Sequence, residues 1–269
     1  MKRFLLSITV TSVLIVGVVL IALAGSTDQQ DGANHLRFNG FSFSFDPALA
    51  ENVNIAHFAG DPIDYEAPGG PDVAHVSYSF YNGMTTPETV FSGVGELRVY
   101  QTADLVGYDH PTQRFNELQS ILNGRPDLVT YSVQLEMTVD TTTLPFMPVY
   151  PAMQVIRGQA HYVDTDALSG IAYVTAFRQD ASPLLAHEFM YTFQGISHDG
   201  NYYVAASMPV SAALFPDTLA DNFDYGVFME TFNDYLAEST ALLNASTSND
   251  FTPSLTLLDE IVQSIAFDD

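Results

Sequence analysis

Several residue types are missing or scarce in this chain of 269 residues: it has no cysteine, no tryptophan and, after Lys2, no lysine. Without cysteine the chain can form neither a disulfide nor a lipid thioether, and it has no thiolate for a zinc site. Its stability therefore depends on packing. Hydrophobic residues make up 47% of the chain, with 14 Tyr and 19 Phe, so we expect a folded globular protein.

Positive charge is also scarce. Eight Lys and Arg against 32 Asp and Glu give a formal net charge of −24. A nucleic-acid partner needs clustered Lys and Arg to displace counterions from phosphates, so we exclude one. The acidity has two interpretations, which are adaptation to high salt and plain solubility.

The N-terminal segment is typical of an exported chain. Lys2 and Arg3 precede an uncharged apolar run, residues 4–24, which is about long enough to cross a hydrocarbon layer of roughly 30 Å. Ala22-Leu23-Ala24 matches the small-residue pattern of a cleavage site. We predict that residues 1–24 are either a signal peptide cleaved near Ala24 or a membrane anchor that binds the membrane through residues 4–24. In both cases the rest of the chain lies outside.

The remaining chain is predicted to contain one domain. Residues 25–35 form a polar spacer, and residues 36–269 show no internal repeat and no linker that would divide them.

Strand signals dominate this domain. Phe41-Ser42-Phe43-Ser44-Phe45 alternates with period two, which predicts a half-buried strand with its phenylalanines on one face. Strands are also predicted at residues 73–81 and 95–101, and hairpins at 153–164 with 170–179 and at 188–196 with 202–209. Asp199-Gly200 is the turn signal of the last hairpin.

Three helices complete the expected α+β fold, an antiparallel sheet built from hairpins and covered by helices. The first begins near Pro111 and ends at Gly124. The second buries a face that contains Phe228, Phe232, Tyr235, Leu236, Leu242 and Leu243. The third begins at Thr252-Pro253 with a hydroxyl cap and buries Leu255, Leu258, Ile261, Val262 and Ile265.

Three of these features carry a resemblance: the opening strand ended by Asp46-Pro47, the paired hairpins, and the closing helix that runs into a short apolar segment at residues 258–267. Together they resemble uncharacterised exported bacterial proteins and, in outline, the PsbP and Mog1-type fold. The resemblance implies a non-enzymatic accessory or binding domain, and it carries no catalytic residues to transfer.

No motif indicates catalysis, a metal or a cofactor. Ser197-His198-Asp199 contains the residue types of a catalytic triad, but neighbours at a hairpin tip diverge. The seven histidines lack metal-ligand spacing. Tyr202 and Tyr203 could offer an aromatic platform to a sugar, although side chains on alternate strand positions point to opposite faces, which leaves at most one free.

A proline-rich segment, residues 144–151, is the remaining candidate site. Its prolines recur at every third position, as on one face of a polyproline II helix. One interpretation is a partner-binding strip, and the other is an ordered crossover packed on the core. The strip would comprise Pro145, Phe146, Met147, Pro148, Tyr150 and Pro151.

These observations favour an exported, non-catalytic binding or accessory module without a cofactor, whose ligand the sequence does not identify. Two alternatives stay open. One is a hydrolase that uses paired carboxylates brought together by the fold. The other is a structural envelope protein.

Overall fold

A computed structural model describes residues 32–66, 69–84, 93–131 and 144–268 of the chain. They form the predicted α+β class, with antiparallel sheets and, within these ranges, four α-helices. The strands are β1 (Asn34–Phe38), β2 (Phe41–Phe45), β3 (Asn52–Phe58), β4 (His75–Tyr81), β5 (Gly95–Gln101), β6 (Met153–Asp164), β7 (Leu168–Arg178), β8 (Phe189–Ser197), β9 (Tyr202–Ala212), β10 (Phe251–Thr252) and β11 (Ala266–Phe267). The helices are α1 (Asp109–Gly124), α2 (Tyr225–Glu230), α3 (Phe232–Ala245) and α4 (Leu255–Gln263).

Eight strands form a large antiparallel sheet in the order β3-β4-β5-β9-β8-β7-β6, with β10 paired to the far end of β9. Both predicted hairpins are present, as β6 with β7 and β8 with β9. The second turns where Asp199-Gly200 predicts, and Gly200 has a φ of 75° that favours glycine. The Asp199 carboxylate accepts hydrogen bonds from the Ser197 hydroxyl (2.5 Å) and the Asn201 N–H (3.0 Å), which closes the turn.

A small sheet, β1-β2-β11, packs against the large one. Its first hairpin turns at Asn39-Gly40, whose φ values of 50° and 77° are those of a tight two-residue turn. Phe41, Phe43 and Phe45 are all buried in the core, as the alternation predicts. Ser42 is buried as well and Ser44 is partly buried, so the strand is more buried than the predicted half-buried strand. β1 begins at Asn34, inside the range 25–35 predicted as a spacer.

One side chain connects the small sheet to α4. The Ser44 N–H donates to Ser264 Oγ (2.7 Å), and Ser264 Oγ donates to the Ser44 carbonyl (3.1 Å). The single hydroxyl proton of Ser264 is also within reach of the Ile261 carbonyl (2.7 Å), so the bond from the Ser44 N–H is the contact that ties β2 to a residue 220 positions away in the sequence.

Both faces of the large sheet are covered. On one face, the small sheet, α3 and α4 enclose a core that includes Phe43, Phe80 and Phe193, each fully buried. On the other face, α1 and the segment 144–150 cover a second core around Leu118, Tyr173 and Tyr203. The architecture is a sheet between two covering layers, which is the packing that an α+β domain needs to bury both faces.

The second predicted helix is wrong in two respects: it is two helices, and one residue of its predicted buried face is exposed. The helix is interrupted at Thr231, which lies between α2 and α3. Leu242, predicted on the buried face, is 43% exposed. At 100° per residue it lies well away from the line of Leu236 and Leu243, which are the buried residues of α3.

The predicted start of the last helix is also wrong. Thr252 belongs to β10, and α4 begins after Ser254, whose side chain makes no capping bond. A serine outside the helix supplies the cap instead, since Ser248 Oγ accepts from the Thr256 N–H (2.6 Å). The buried residues of α4 are those predicted: Leu255, Leu258, Ile261 and Val262, followed by Ile265.

Within the described ranges, no helix combines the length and apolar character needed to cross a membrane. The apolar run at residues 4–24 lies outside the described residues.

Candidate functional site

A cleft of about 160 Å³ lies where the small sheet meets one edge of the large sheet. Residues of β1, β2 and β11 form one side, and residues of β3, β4, β5 and β9 form the other. Ligand sites occur preferentially at such junctions between packed units, because neither unit fills the space alone.

The interior of the cleft is aromatic. Phe41 and Tyr78 are buried at its floor, with ring centroids 5.3 Å apart. Phe38, Tyr202 and Phe267 are half-buried and form its wall. The Phe267 ring lies 5.4 Å from that of Phe41 and stacks on that of Tyr202 at 4.8 Å. Five aromatic side chains thus surround one small space.

Strand register brings these rings together. β11 pairs with β2 so that Phe267 lies opposite Phe41, and β9 pairs with β5 so that Tyr202 lies opposite Gln101. Burial raises the pKa of the Tyr78 hydroxyl, which makes a long hydrogen bond of 3.4 Å to the Phe38 carbonyl. The floor is therefore uncharged at neutral pH.

The rim of the cleft is polar and exposed. It consists of Asn39 from the β1–β2 turn, His57 from β3, Gln101 from β5, and Asp104 from the 3-10 helix Thr102–Leu105. Among the described residues that line the cleft, none is a lysine or an arginine. The rim can donate and accept hydrogen bonds through its amides, and its carboxylate adds negative charge.

Contacts after β11 fix the hairpin that forms one side of the cleft. The Asp268 N–H donates to the Gly40 carbonyl (2.7 Å), and the Asp268 carboxylate binds the Arg37 guanidinium (2.6 Å). Arg37, the cationic residue nearest to the Asn39-Gly40 turn in sequence, is therefore already paired with the Asp268 carboxylate.

Tyr202 and Tyr203 point to opposite faces of the large sheet, as the alternation predicts. Tyr202 is half-buried in the cleft. Tyr203 is fully buried in the second core, where its hydroxyl donates to Gln194 Oε1 (2.6 Å). Only Tyr202 of this pair can face a ligand.

The proline-rich segment packs along the second core. The Phe146 and Met147 side chains are buried, and the Pro145 carbonyl accepts from the Tyr173 hydroxyl (2.8 Å). Pro148 and Tyr150 are half-buried, and Pro151 is exposed. The surface of the proposed strip that a partner could reach is thus confined to its second half, and partner binding there stays a prediction.

A charged cluster lies on the other face of the large sheet. Arg98 binds the carboxylates of Asp72 (2.6 Å) and Glu96 (2.8 Å). The ring of His75 packs between those of Phe58 and Tyr100, and its pKa is lowered because burial and the neighbouring Arg98 disfavour the imidazolium. The guanidinium and the two carboxylates thus pair with one another inside the cluster, which favours a structural role.

Ser197, His198 and Asp199 do not form a triad. The serine and aspartate close the hairpin turn, and His198 Nε2 lies 2.8 Å from the Thr165 carbonyl of the neighbouring turn. In the part of the chain that the structure describes, no three His, Asp or Glu side chains gather in a way that could hold a metal ion.

Sequence reasoning missed the cleft: among its residues it weighed Tyr202 for sugar binding, and His57 and His75 only as metal ligands without the right spacing. The other lining residues come from segments that are distant in sequence, and none carries a motif. One signal was available: Asn39-Gly40 between apolar runs is a strong hairpin pattern, and it would have placed β1 beside β2.

No protein-family model matches the chain, and no match was found among curated proteins or among solved structures.

Proposed function

We propose that this chain is an exported, non-catalytic binding module at the outer face of a membrane, and that it binds a small ligand in the cleft between its two sheets. The observation that carries the proposal is the composition of the cleft: an aromatic interior, a polar rim and an opening to solvent. Ligand sites in proteins combine these features, since apolar area supplies affinity and a few polar groups supply orientation.

The volume of the cleft limits the size of the ligand that it can hold. At about 160 Å³ it is similar to cavities of roughly 150 Å³ that bind benzene. It is smaller than the typical pocket for a drug-sized molecule. The cleft therefore binds one ring, or one compact end group of a longer molecule.

The carboxylates favour binding over hydrolysis. Glycosidic hydrolysis by paired carboxylates needs two of them, and among the described lining residues Asp104 is the one carboxylate. A general acid also needs a raised pKa. In the described part of the chain the carboxyl shifts that are resolved are downward, at Asp164, Asp199 and Asp250, each because hydrogen bonds stabilise the charged form.

The proposed location follows from the N-terminal sequence, in which two cations precede the apolar run at residues 4–24. Retention of this run would hold the module at the membrane, and cleavage near Ala24 would release it. A purely structural envelope protein would have no need of an open aromatic cleft, which is why we favour the binding module.

The test is an NMR titration of the full chain with three ring-sized probes: phenol, methyl β-glucopyranoside and tetramethylammonium. At least one probe should shift amide resonances of β4, β5 and the β1–β2 turn. The substitution Val76→Phe, which enlarges a half-buried side chain that lines the cleft, should abolish those shifts. The control is Val227→Phe on α2, where the native side chain is 62% exposed. Silence toward all three probes, or equal shifts in Val76→Phe, would contradict the proposal.

A further inference from the structure

The groups that line the cleft favour a ligand of positive charge. Its interior presents five aromatic rings, and its rim adds the Asp104 carboxylate. The described lining residues include no lysine or arginine, and the Arg37 guanidinium in β1 is paired with Asp268 at 2.6 Å. Because aromatic faces carry partial negative charge, the interior and the rim both favour a cation.

The whole chain adds to this preference. With 32 acidic and 8 basic residues, the molecule produces a negative potential that concentrates cations near its surface and repels anions. An anionic ligand would enter the cleft against this field and would find no lysine or arginine among the described lining residues, whose two histidines are His57 and His75.

The aromatic floor of the cleft favours one class of cation, the fully alkylated ammonium ions, over primary ammonium ions. A primary ammonium group carries three N–H donors, and each loses a hydrogen bond to water when it enters an aromatic interior. A fully alkylated ammonium has no N–H group and presents methyl groups to the rings, so burial in a ring-lined site costs it much less. This is the chemistry for which aromatic cages are used in proteins.

We propose that the cleft binds a small organic cation with a fully alkylated ammonium group, of the choline type. The inference rests on the proposed function, whose site it specifies further. The trimethylammonium head, which has about the bulk of a benzene ring, fits a cleft of about 160 Å³. Because the Tyr202 and Phe267 rings stack on each other at 4.8 Å, the head lies in the cleft beside this pair and not between its rings. The polar tail reaches the amides of Asn39 and Gln101 at the rim.

The test compares choline with 3,3-dimethylbutan-1-ol, a neutral molecule of the same shape, by calorimetric titration of the full chain at pH 8. Choline should bind at least about tenfold more tightly, since the cation–π attraction is present for choline alone. Tyr202→Leu keeps apolar bulk but removes a ring, so it should weaken the binding of choline more than that of the alcohol. The matched control is Tyr225→Leu on α2, where the native tyrosine is 53% exposed.

The possible outcomes separate this inference from the proposed function. Equal affinity for choline and the alcohol, both lost in Val76→Phe, would overturn the cation preference and leave a binding cleft. If methyl β-glucopyranoside binds and choline does not, the cation preference is likewise overturned and the binding cleft stays. Choline binding that persists in Val76→Phe would place the cation elsewhere on the acidic surface and overturn the inference. Failure of choline to bind would overturn this inference, and a lack of response to phenol, methyl β-glucopyranoside and tetramethylammonium as well would overturn both proposals.

Discussion

Two histidines of the large sheet have pKa values shifted in opposite directions, and the cause is local in each case. The pKa of His161 is raised, first because its ring hydrogen-bonds the Asp259 carboxylate. The Asp259 carboxylate also accepts from the Tyr191 hydroxyl at 2.7 Å, which fixes its position. The pKa of His75 is lowered, because that ring is buried beside Arg98. Protonation therefore stabilises the fold at His161 and opposes it at His75.

His161 gives a stability prediction with a definite sign. A histidine whose pKa is raised on folding contributes stability that is fully present below its unfolded pKa, about 6.5, and is lost as pH rises through the folded value. His161→Gln should therefore lower the free energy of unfolding more at about pH 5.5 than at about pH 8.5. Urea denaturation at the two pH values measures the difference.

His110→Gln is the control, since His110 is exposed on α1. The pH dependence of His161→Gln is compared with that of this variant. A loss of stability in His161→Gln that is the same at both pH values would mean that the ion pair with Asp259 contributes nothing.

Gln194 connects the proline-rich segment to the large sheet. This fully buried side chain accepts from the Met147 N–H (2.9 Å) and the Tyr203 hydroxyl (2.6 Å), and its amide donates to Thr192 Oγ1 (2.9 Å). The Gln194 side chain thus hydrogen-bonds a backbone group of the proline-rich segment that has no partner in a neighbouring strand. This allows an irregular segment to cover the second core.

Gln194→Leu should destabilise the fold strongly. It leaves the Met147 N–H and the Tyr203 hydroxyl buried without partners, at about 1–3 kcal/mol each, so we expect a loss of about 2–6 kcal/mol in the free energy of unfolding. Denaturant titration measures it, with Gln119→Leu on the exposed side of α1 as the control. A loss below about 1 kcal/mol would show that the segment finds other partners.

The elements that sequence reasoning predicted correctly are those with local signals. The β8–β9 hairpin has Asp199-Gly200 between two apolar runs, and α1 has an apolar face ended by Gly124. By contrast, β3 was missed, because its sequence mixes Asn and His with apolar residues and it forms only by pairing with β4 along its length. The cleft lies beyond local reasoning for the same reason, since its rings come from β1, β2, β4, β9 and β11.

At the scale of the whole molecule, repulsion among the acidic side chains lowers the stability of the folded state. Like charges in a compact volume repel, and salt relieves the repulsion as the Debye length falls from about 10 Å near 0.1 M to 3 Å near 1 M. With a formal net charge of −24, the fold bears such a strain even though its ion pairs, for example Arg98 with Asp72, offset it locally.

The melting temperature of the chain should therefore rise between about 0.05 and about 1 M sodium chloride. Differential scanning calorimetry across a salt series measures it, and a parallel series in a neutral osmolyte controls for general solvent exclusion. A melting temperature that stays flat in salt would mean that the acids are too far apart to strain the fold, and the high-salt interpretation would then give way to solubility.

The hydroxyl of Ser264 that clamps Ser44 has a consequence for the time course of folding. The two residues are 220 positions apart, so the small sheet cannot close until nearly all of the described chain is available. During synthesis from the N-terminus, the phenylalanine-rich strand β2 therefore keeps its apolar face uncovered until the C-terminal residues are made. Loop closure over this span is slow compared with hairpin formation. The large sheet can assemble its hairpins first, and the cleft is complete only when β11 joins β2 and Phe267 closes its wall.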